Sequence, residues 1–76
     1  MIEFTITRTC KKDNTYDVFS FNNFDDVINK IINDNNINLE LMQHYIKTNI
    51  ANAILNEGQY EYCIDNYIYV IKAKIK

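Results

Sequence analysis

The sequence predicts an α+β domain with the element order ββααββ, an antiparallel four-stranded sheet with two helices packed on one face. Apolar and polar residues alternate near both ends of the chain, and apolar residues recur at helical spacing in the middle. The apolar fraction of 47% and the charged fraction of 24% are those of an ordinary folded protein. With 76 residues, the chain is predicted to form a single domain over residues 1–76.

The first two strands are predicted to form a hairpin with a defined register. Residues 2–9 alternate between apolar and polar, with Arg8 as the one polar residue on the apolar side, and a second apolar run begins after the turn-forming residues 11–14. A four-residue loop brings these pairs opposite one another: Cys10 and Thr15, Arg8 and Asp17, Ile6 and Phe19, Phe4 and Phe21. This register makes one ion pair and two apolar pairs on one face, which favours it over a one-residue slip.

The first helix has a capping signal and one apolar side. Asn22 or Asn23 is the predicted N-cap, and Asp25 and Asp26 fall in the first turn, where carboxylates complement the helix dipole. The apolar residues that recur at helical spacing are Phe24, Val27, Ile28, Ile31 and Ile32. This pattern predicts an amphipathic helix that buries one side.

The second helix is predicted from about Leu39 to Asn56, with Asn38 as N-cap and Gly58 as the C-terminal stop. It has more apolar residues than one buried side needs. The residues predicted to face the sheet are Leu39, Met42, Ile46, Ala53 and Ile54. Leu41, Tyr45 and Leu55 fall to the side, and we interpret them as packing against the first helix, with an intermolecular interface as the alternative.

The last two strands are predicted to form a hairpin around a type I′ turn at Asp65 and Asn66, since both residue types tolerate positive φ. Tyr62 then opposes Tyr69. One side of the hairpin carries Tyr60, Tyr62, Ile64, Tyr67, Tyr69 and Ile71, and the other carries Gln59, Glu61, Cys63, Ile68, Val70 and Lys72. The tyrosine side is larger, so it is predicted to pack under the helices with its hydroxyls at the rim.

The opposite side of the sheet is the predicted binding surface. With both helices on the tyrosine side, nothing in the predicted fold covers the other face. An exposed apolar patch with an aromatic residue and a polar surround is typical of a protein-binding surface. The predicted partner-binding residues are Tyr16, Val18, Glu61, Ile68 and Val70.

No pattern in the sequence indicates catalysis, a cofactor or a metal. Gly58 is the only glycine, which argues against a phosphate-binding loop. Cys10, Cys63 and the lone His44 are too few for a closed zinc site, and the two thiols are expected to be reduced. We therefore predict a non-enzymatic protein without cofactors, located in the cytoplasm, because no apolar run is long enough to span a bilayer.

The charge balance argues against a nucleic-acid partner. The net charge is −2, whereas nucleic-acid-binding domains usually carry a basic patch. Lys72, Lys74 and Lys76 alternate along the last strand, and we interpret them as keeping an edge or terminal strand soluble. A helix-turn-helix reading of the two helices is weakened by the single lysine, Lys47, in the candidate recognition helix.

A compact, slightly acidic chain without motifs and rich in asparagine and isoleucine resembles the small inhibitor proteins of phages and mobile elements, including anti-CRISPR proteins. This resemblance implies a protein that binds a host CRISPR effector complex or another defence nuclease in the bacterial cytoplasm and blocks it. Two alternatives remain open. One is a self-associating module, for instance a homodimer, and the other is a nucleic-acid-binding regulator of a mobile element.

Overall fold

A computed structural model describes residues 2–75. The elements are β1 (Ile2–Cys10), β2 (Tyr16–Phe21), α1 (Phe24–Asp34), α2 (Glu40–Glu57), β3 (Gln59–Ile64) and β4 (Tyr67–Ile75). The strands form one antiparallel sheet in the order β2-β1-β4-β3. The predicted fold class and element order are confirmed. β4 lies inside the sheet, so the interpretation of its lysines as protecting an edge is wrong, and Lys76 lies outside the described residues.

The register predicted for the β1–β2 hairpin is confirmed. Arg8 is opposite Asp17, Ile6 opposite Phe19 and Phe4 opposite Phe21. Cys10 N–H donates to the Thr15 carbonyl over 2.8 Å, which fixes the end of the ladder beside the loop. Cross-strand contacts on one face therefore select this register, as the alternation of the sequence requires.

The β3–β4 hairpin also has the predicted register, with Tyr62 opposite Tyr69 and Ile64 opposite Tyr67. The predicted turn type is wrong. A type I′ turn needs positive φ at both central residues, and only Asp65, at 46°, has it. The Asn66 carbonyl accepts a hydrogen bond from Lys11 N–H over 2.8 Å, so the neighbouring loop helps to orient this turn.

α1 begins as predicted. Asn23 is its N-cap, in extended conformation, and its side chain accepts a hydrogen bond from Asp25 N–H over 2.8 Å. Asp25 and Asp26 occupy the first turn. Val27, Ile28 and Ile31 are buried, so one side of the helix enters the core.

α2 begins at Glu40, one residue later than predicted. Leu39 is the N-cap and makes no side-chain capping bond, so the prediction of Asn38 is wrong. The Leu39 carbonyl accepts the first helical bond, from Gln43 N–H, which places Asn38 outside the helix. Gly58 ends the helix as predicted, with φ of 75° and its N–H donating to the Ile54 carbonyl.

The core lies between the helices and one face of the sheet, which we call the inner face. Its buried members are Phe4, Ile6, Val27, Ile28, Ile31, Ile46, Ile50, Tyr69 and Ile71. Tyr69 and Ile71 belong to the tyrosine side of the last hairpin, and Tyr60, Tyr62 and Tyr67 are half-buried around them. The prediction that this side packs under the helices is confirmed.

Candidate functional site

The other face of the sheet, which we call the outer face, carries all the predicted partner-binding residues. The register aligns its side chains in rows that cross the four strands. One row consists of Tyr16, Thr9, Ile68 and Cys63, and the next of Val18, Thr7, Val70 and Glu61. Within residues 2–75, no core residue and no hydrophobic residue packed against the core belongs to this face. The outer face is therefore the bare side of a two-layer fold.

The structure brings the predicted residues onto one face but not into direct contact as a single patch. Glu61 is directly opposite Val70, whereas β1 lies between β2 and β4. Thr9 separates Tyr16 from Ile68 by two strand spacings, about 10 Å. The strand order could not be read from the sequence, and it divides the predicted patch into two apolar parts joined by threonines.

Exposure differs between these two parts. On the edge strand β2, Tyr16 is 68% exposed and Val18 57%. Ile68 and Val70 are half-buried because β4 has a neighbouring strand on each side. Toward the other end of the outer face the side chains become charged, and Lys74 is directly opposite Glu3. The outer face thus combines an apolar region with a charged border, which is the usual anatomy of a protein-binding surface.

α2 provides a second exposed apolar surface. Ile46 and Ile50 are its buried residues. Because successive helical residues are about 100° apart, the opposite side is formed by Leu41, Tyr45 and Leu55, which are 75%, 64% and 82% exposed. We call this the α2 outer side. The interpretation that these residues pack against α1 is wrong, because they point away from the core.

Two further assignments on α2 also need correction. Leu39 and Met42 were predicted to face the sheet, but both are exposed. Ile46 is buried as predicted, and Ala53 and Ile54 are half-buried. Ile50, which the predicted set omits, is fully buried. The apolar residues of α2 surround the helix, so their spacing alone does not show which side meets the sheet.

The inner face contains a polar network that sequence reasoning found only in part. The Arg8 guanidinium donates to Asp34 Oδ2 over 2.8 Å and to Asp17 Oδ2 over 3.0 Å. The Tyr69 hydroxyl donates to the same Asp34 oxygen over 3.0 Å and accepts a hydrogen bond from the Asn35 side chain. Only the Arg8–Asp17 pair was predicted, because Asp34 and Asn35 lie far from Arg8 and Tyr69 in sequence.

Aromatic rings complete the surroundings of this network. The Arg8 guanidinium carbon lies 5.1 Å from the centroid of the Phe19 ring and 5.0 Å from that of Tyr67. Lys30 Nζ is 4.3 Å from the Phe19 centroid and 3.2 Å from Asp34 Oδ1. Cation–π contacts of this kind hold the two basic side chains in place. The network therefore fastens the end of α1 to β1.

Burial and hydrogen bonding act in opposite directions on the pKa of Asp34. Burial raises this pKa. The hydrogen bonds from Arg8, Lys30 and Tyr69 together lower it by more than burial raises it, so the pKa lies below its ordinary value of 3.8. Burial, together with the donation to Asp34, raises the pKa of the Tyr69 hydroxyl well above its ordinary value of 10.0. The carboxylate and the neutral phenol thus stabilise one another. The Tyr69 hydroxyl lies in this network and not at the rim.

Several depressions lie beside α2, and two of them are lined by residues of both helices. One, of about 410 Å³, lies between the helices and is bridged by the ion pair of Lys47 Nζ with Asp25 Oδ1 at 2.9 Å. The other, of about 220 Å³, is almost wholly apolar and lies between Phe4, Phe24 and Ile54 at one end of the sheet. Asp25, Glu40 and His44 line the first depression, but within residues 2–75 no three such side chains lie close enough together to hold a metal ion.

Comparison with protein-family models, with curated proteins and with solved structures finds no match for this chain. Function must therefore be inferred from the surfaces themselves. Between Ile2 and Ile75, neither helix is long and apolar enough to cross a membrane. Cys10 and Cys63 are both free thiols.

Proposed function

We propose that this protein is a non-enzymatic, protein-binding inhibitor of the anti-CRISPR type that acts in the cytoplasm of a bacterial host. In this proposal the outer face docks on a CRISPR effector complex or another defence nuclease and blocks it stoichiometrically. The observation that carries the proposal is the outer face itself, an apolar region left bare by the fold with Tyr16 and Val18 exposed.

Strand propensity alone does not account for this apolar surface. On the same face, β1 has Thr5, Thr7 and Thr9, which are good strand formers with a polar group. Tyr16 and Val18 lie directly opposite two of these threonines yet expose mostly apolar surface. Each exposed apolar side chain forgoes about 25 cal/mol per Å² that burial in an interface would provide. A partner that covers this face would recover that free energy.

The polar groups of the inner face support a structural role more than catalysis. The Asp34 carboxylate accepts hydrogen bonds from Arg8 and Tyr69 and pairs with Lys30. No buried side-chain nitrogen or oxygen within residues 2–75 is without a hydrogen-bond partner. A buried polar network whose members are all hydrogen-bonded makes the core rigid, which is the role that we assign to it.

The test is inhibition of nucleic-acid cleavage by purified CRISPR effector complexes from low-GC bacteria. We expect one of them to lose activity as this protein is added, with an end point at a fixed molar ratio. Salt-sensitive binding of the protein to the nucleic acid alone would instead favour the regulatory alternative. An absence of inhibition across single-nuclease and multisubunit effectors would reject the anti-CRISPR assignment.

Paired variants test whether the outer face makes the contact. Ile68→Thr combined with Val70→Thr removes apolar surface from the outer face and keeps the β-branched shape that suits a strand. The matched control, Leu41→Gln combined with Tyr45→Gln, changes the α2 outer side by a similar amount. If the interface centre is at β4, the threonine variant should bind about 30-fold more weakly. If both variants inhibit as well as the wild type, β4 is excluded as the centre of the interface.

A further inference from the structure

The two edges of the sheet differ in how well they are protected against pairing with another strand. β2 and β3 are the edge strands. Because Cys10 N–H bonds to the Thr15 carbonyl and ladder bonds alternate, Asp17, Phe19 and Phe21 exchange hydrogen bonds with β1. The backbone groups of Tyr16, Val18 and Ser20 therefore point away from the sheet. We call this row the β2 edge.

β3 carries an obvious obstacle to self-pairing, and the β2 edge does not. Glu61 lies in the middle of β3, and by the same alternation its backbone groups point to the free edge. Two copies of β3 centred there would place Glu61 against Glu61, which is destabilising. β2 contains no proline or lysine, and Asp17, its only charged residue, points to the inner face, where the Arg8 guanidinium neutralises its charge at 3.0 Å. A bare edge of this kind is a template for another strand.

We propose that the protein forms a two-fold homodimer in which the β2 edge of one copy pairs antiparallel with that of a second copy. The axis passes through Val18, perpendicular to the sheet, so Val18 faces Val18 of the second copy. Tyr16 then faces Ser20 of the second copy, and Asp17 faces Phe19 of the second copy. This arrangement is isologous and joins the two sheets into one.

Charge complementarity selects this register. The Asp17 side chain is 63% exposed, although it accepts one hydrogen bond from Arg8. Lys30 Nζ lies 4.3 Å from the centroid of the Phe19 ring. Asp17 and Phe19 of the second copy form a non-hydrogen-bonded pair, in which the two Cα atoms are about 4.5 Å apart. Lys30 of the second copy, which lies over that Phe19 ring, therefore comes within reach of Asp17. The two-fold axis makes the contact twice and never places Asp17 against itself.

Dimerisation through the β2 edge does not depend on the proposed inhibitory function. It would extend the outer face across the axis, because Tyr16, Val18 and Ser20 of both copies lie on that face. The strand is short, spanning Tyr16–Phe21, so the buried area is at the low end for specific association. The expected dissociation constant is therefore micromolar.

The first experiment is sedimentation equilibrium on the purified chain from low micromolar to near-millimolar concentration. The expected result is a monomer–dimer equilibrium. Val18→Lys and Val18→Glu each place like charges directly opposite one another at the axis, and each variant should be monomeric. An equimolar mixture of the two should recover a heterodimer, because the charges at the axis are then opposite.

Proline variants provide a matched comparison of the two edges. Val18→Pro removes an N–H that points to the free side of β2, and Glu61→Pro does the same on β3. Val18→Pro removes two hydrogen bonds across the axis, one from each copy, and should weaken the dimer about 30-fold. Glu61→Pro should leave the dimer unchanged. A wild-type monomer at every concentration would overturn the proposal. A dimer that persists in both Val18→Lys and Val18→Glu would also overturn it. A dimer that is lost only in Leu41→Gln/Tyr45→Gln would assign the contact to α2 instead.

Discussion

The two helices rest on the same face of the sheet but differ in how much of their sequence the fold explains. α1 has a side-chain N-cap, Asn23, and buries Val27, Ile28 and Ile31 along one side. α2 is longer, has Leu39 at its N-cap without a side-chain bond, and buries only Ile46 and Ile50. α1 contacts β1 and β2, whereas α2 lies against β3.

The difference separates residues needed for folding from residues available for other purposes. Every apolar side chain of α1 is buried or half-buried, so the fold alone accounts for its sequence. On α2, Leu41, Tyr45 and Leu55 are exposed, and the stability of the isolated chain does not account for them. A helix that begins without a cap and exposes apolar residues is expected to contribute less to stability than its length suggests.

Truncation of one isoleucine or leucine on each helix should show the largest contrast. Ile31 is fully buried, so Ile31→Ala should lower the free energy of unfolding by about 2–5 kcal/mol. Leu41→Ala on the α2 outer side should change it by less than about 0.5 kcal/mol. Urea unfolding followed by circular dichroism measures both. A similar loss in the two variants would show that Leu41 is buried in solution, by contact with another chain.

Removal of the charge that anchors α1 should have the next largest effect. Asp34→Asn keeps the shape but weakens the bonds to Arg8 and Tyr69, which should cost about 1.5–3 kcal/mol at neutral pH. Asp65→Asn, in an exposed turn, is the matched control and should be nearly neutral. Chemical unfolding at pH 7 distinguishes them, and equal stabilities would show that the network contributes little.

The same substitution should change the acid dependence of stability. The pKa of Asp34 is below 3.8 in the folded protein, so its contribution is complete above that pH and is lost as the pH falls through the lowered value. The stability of the wild type should therefore fall toward that of Asp34→Asn under acidic conditions. Unfolding curves between neutral pH and acid, recorded for both proteins, should converge. A constant gap between them would contradict the pKa assignment.

The end of α2 depends on one backbone conformation. Gly58 has φ of 75°, and an added Cβ would have no atom within 4 Å, so the cost of Gly58→Ala is conformational and should be about 1–2 kcal/mol. Gly58→Asn should cost less because asparagine tolerates this conformation better. Thermal unfolding of the two variants tests this order, and a higher Tm for Gly58→Ala than for Gly58→Asn would contradict it.

The start of α2 gives the smallest expected change, and one of opposite sign. Leu39 is exposed and provides no capping bond, so Leu39→Asp should stabilise the protein by about 1 kcal/mol. For a chain of this size that corresponds to a rise of about 4–8 °C in Tm. Asn23→Ala at α1 is the complementary control and should lower Tm by a similar amount. A fall in Tm for Leu39→Asp would show that Leu39 has a contact that its exposure conceals.

The strands were the most predictable part of the molecule. Alternation in the sequence places Ile6 opposite Phe19 and Tyr62 opposite Tyr69, as the structure has them. This works because a one-residue slip would move every apolar side chain to the wrong face. Strand order carries no such local signal, and the insertion of β1 between β2 and β4 divided the predicted binding patch.

The second helix and the polar network were predictable only in part. α2 has apolar residues on opposite sides, so helical spacing could not distinguish Ile50, which is buried, from Leu41, which is exposed. The hydrogen bond from Arg8 to Asp34 joins residues separated by 26 positions, and such pairs have no periodic signal. Only the placement of α1 against β1 brings them together.

The central position of β1 has a consequence for the order of folding. β1 pairs with β4, so Ile2 is opposite Ile75, and nearly the whole chain lies between the two partners. Loops that close over such long separations slow folding. During synthesis, the first hairpin and both helices emerge from the ribosome before β4 does, and until then the β1 side that β4 will cover stays open to other strands. A ribosome-bound intermediate of this kind is an expected substrate for chaperones.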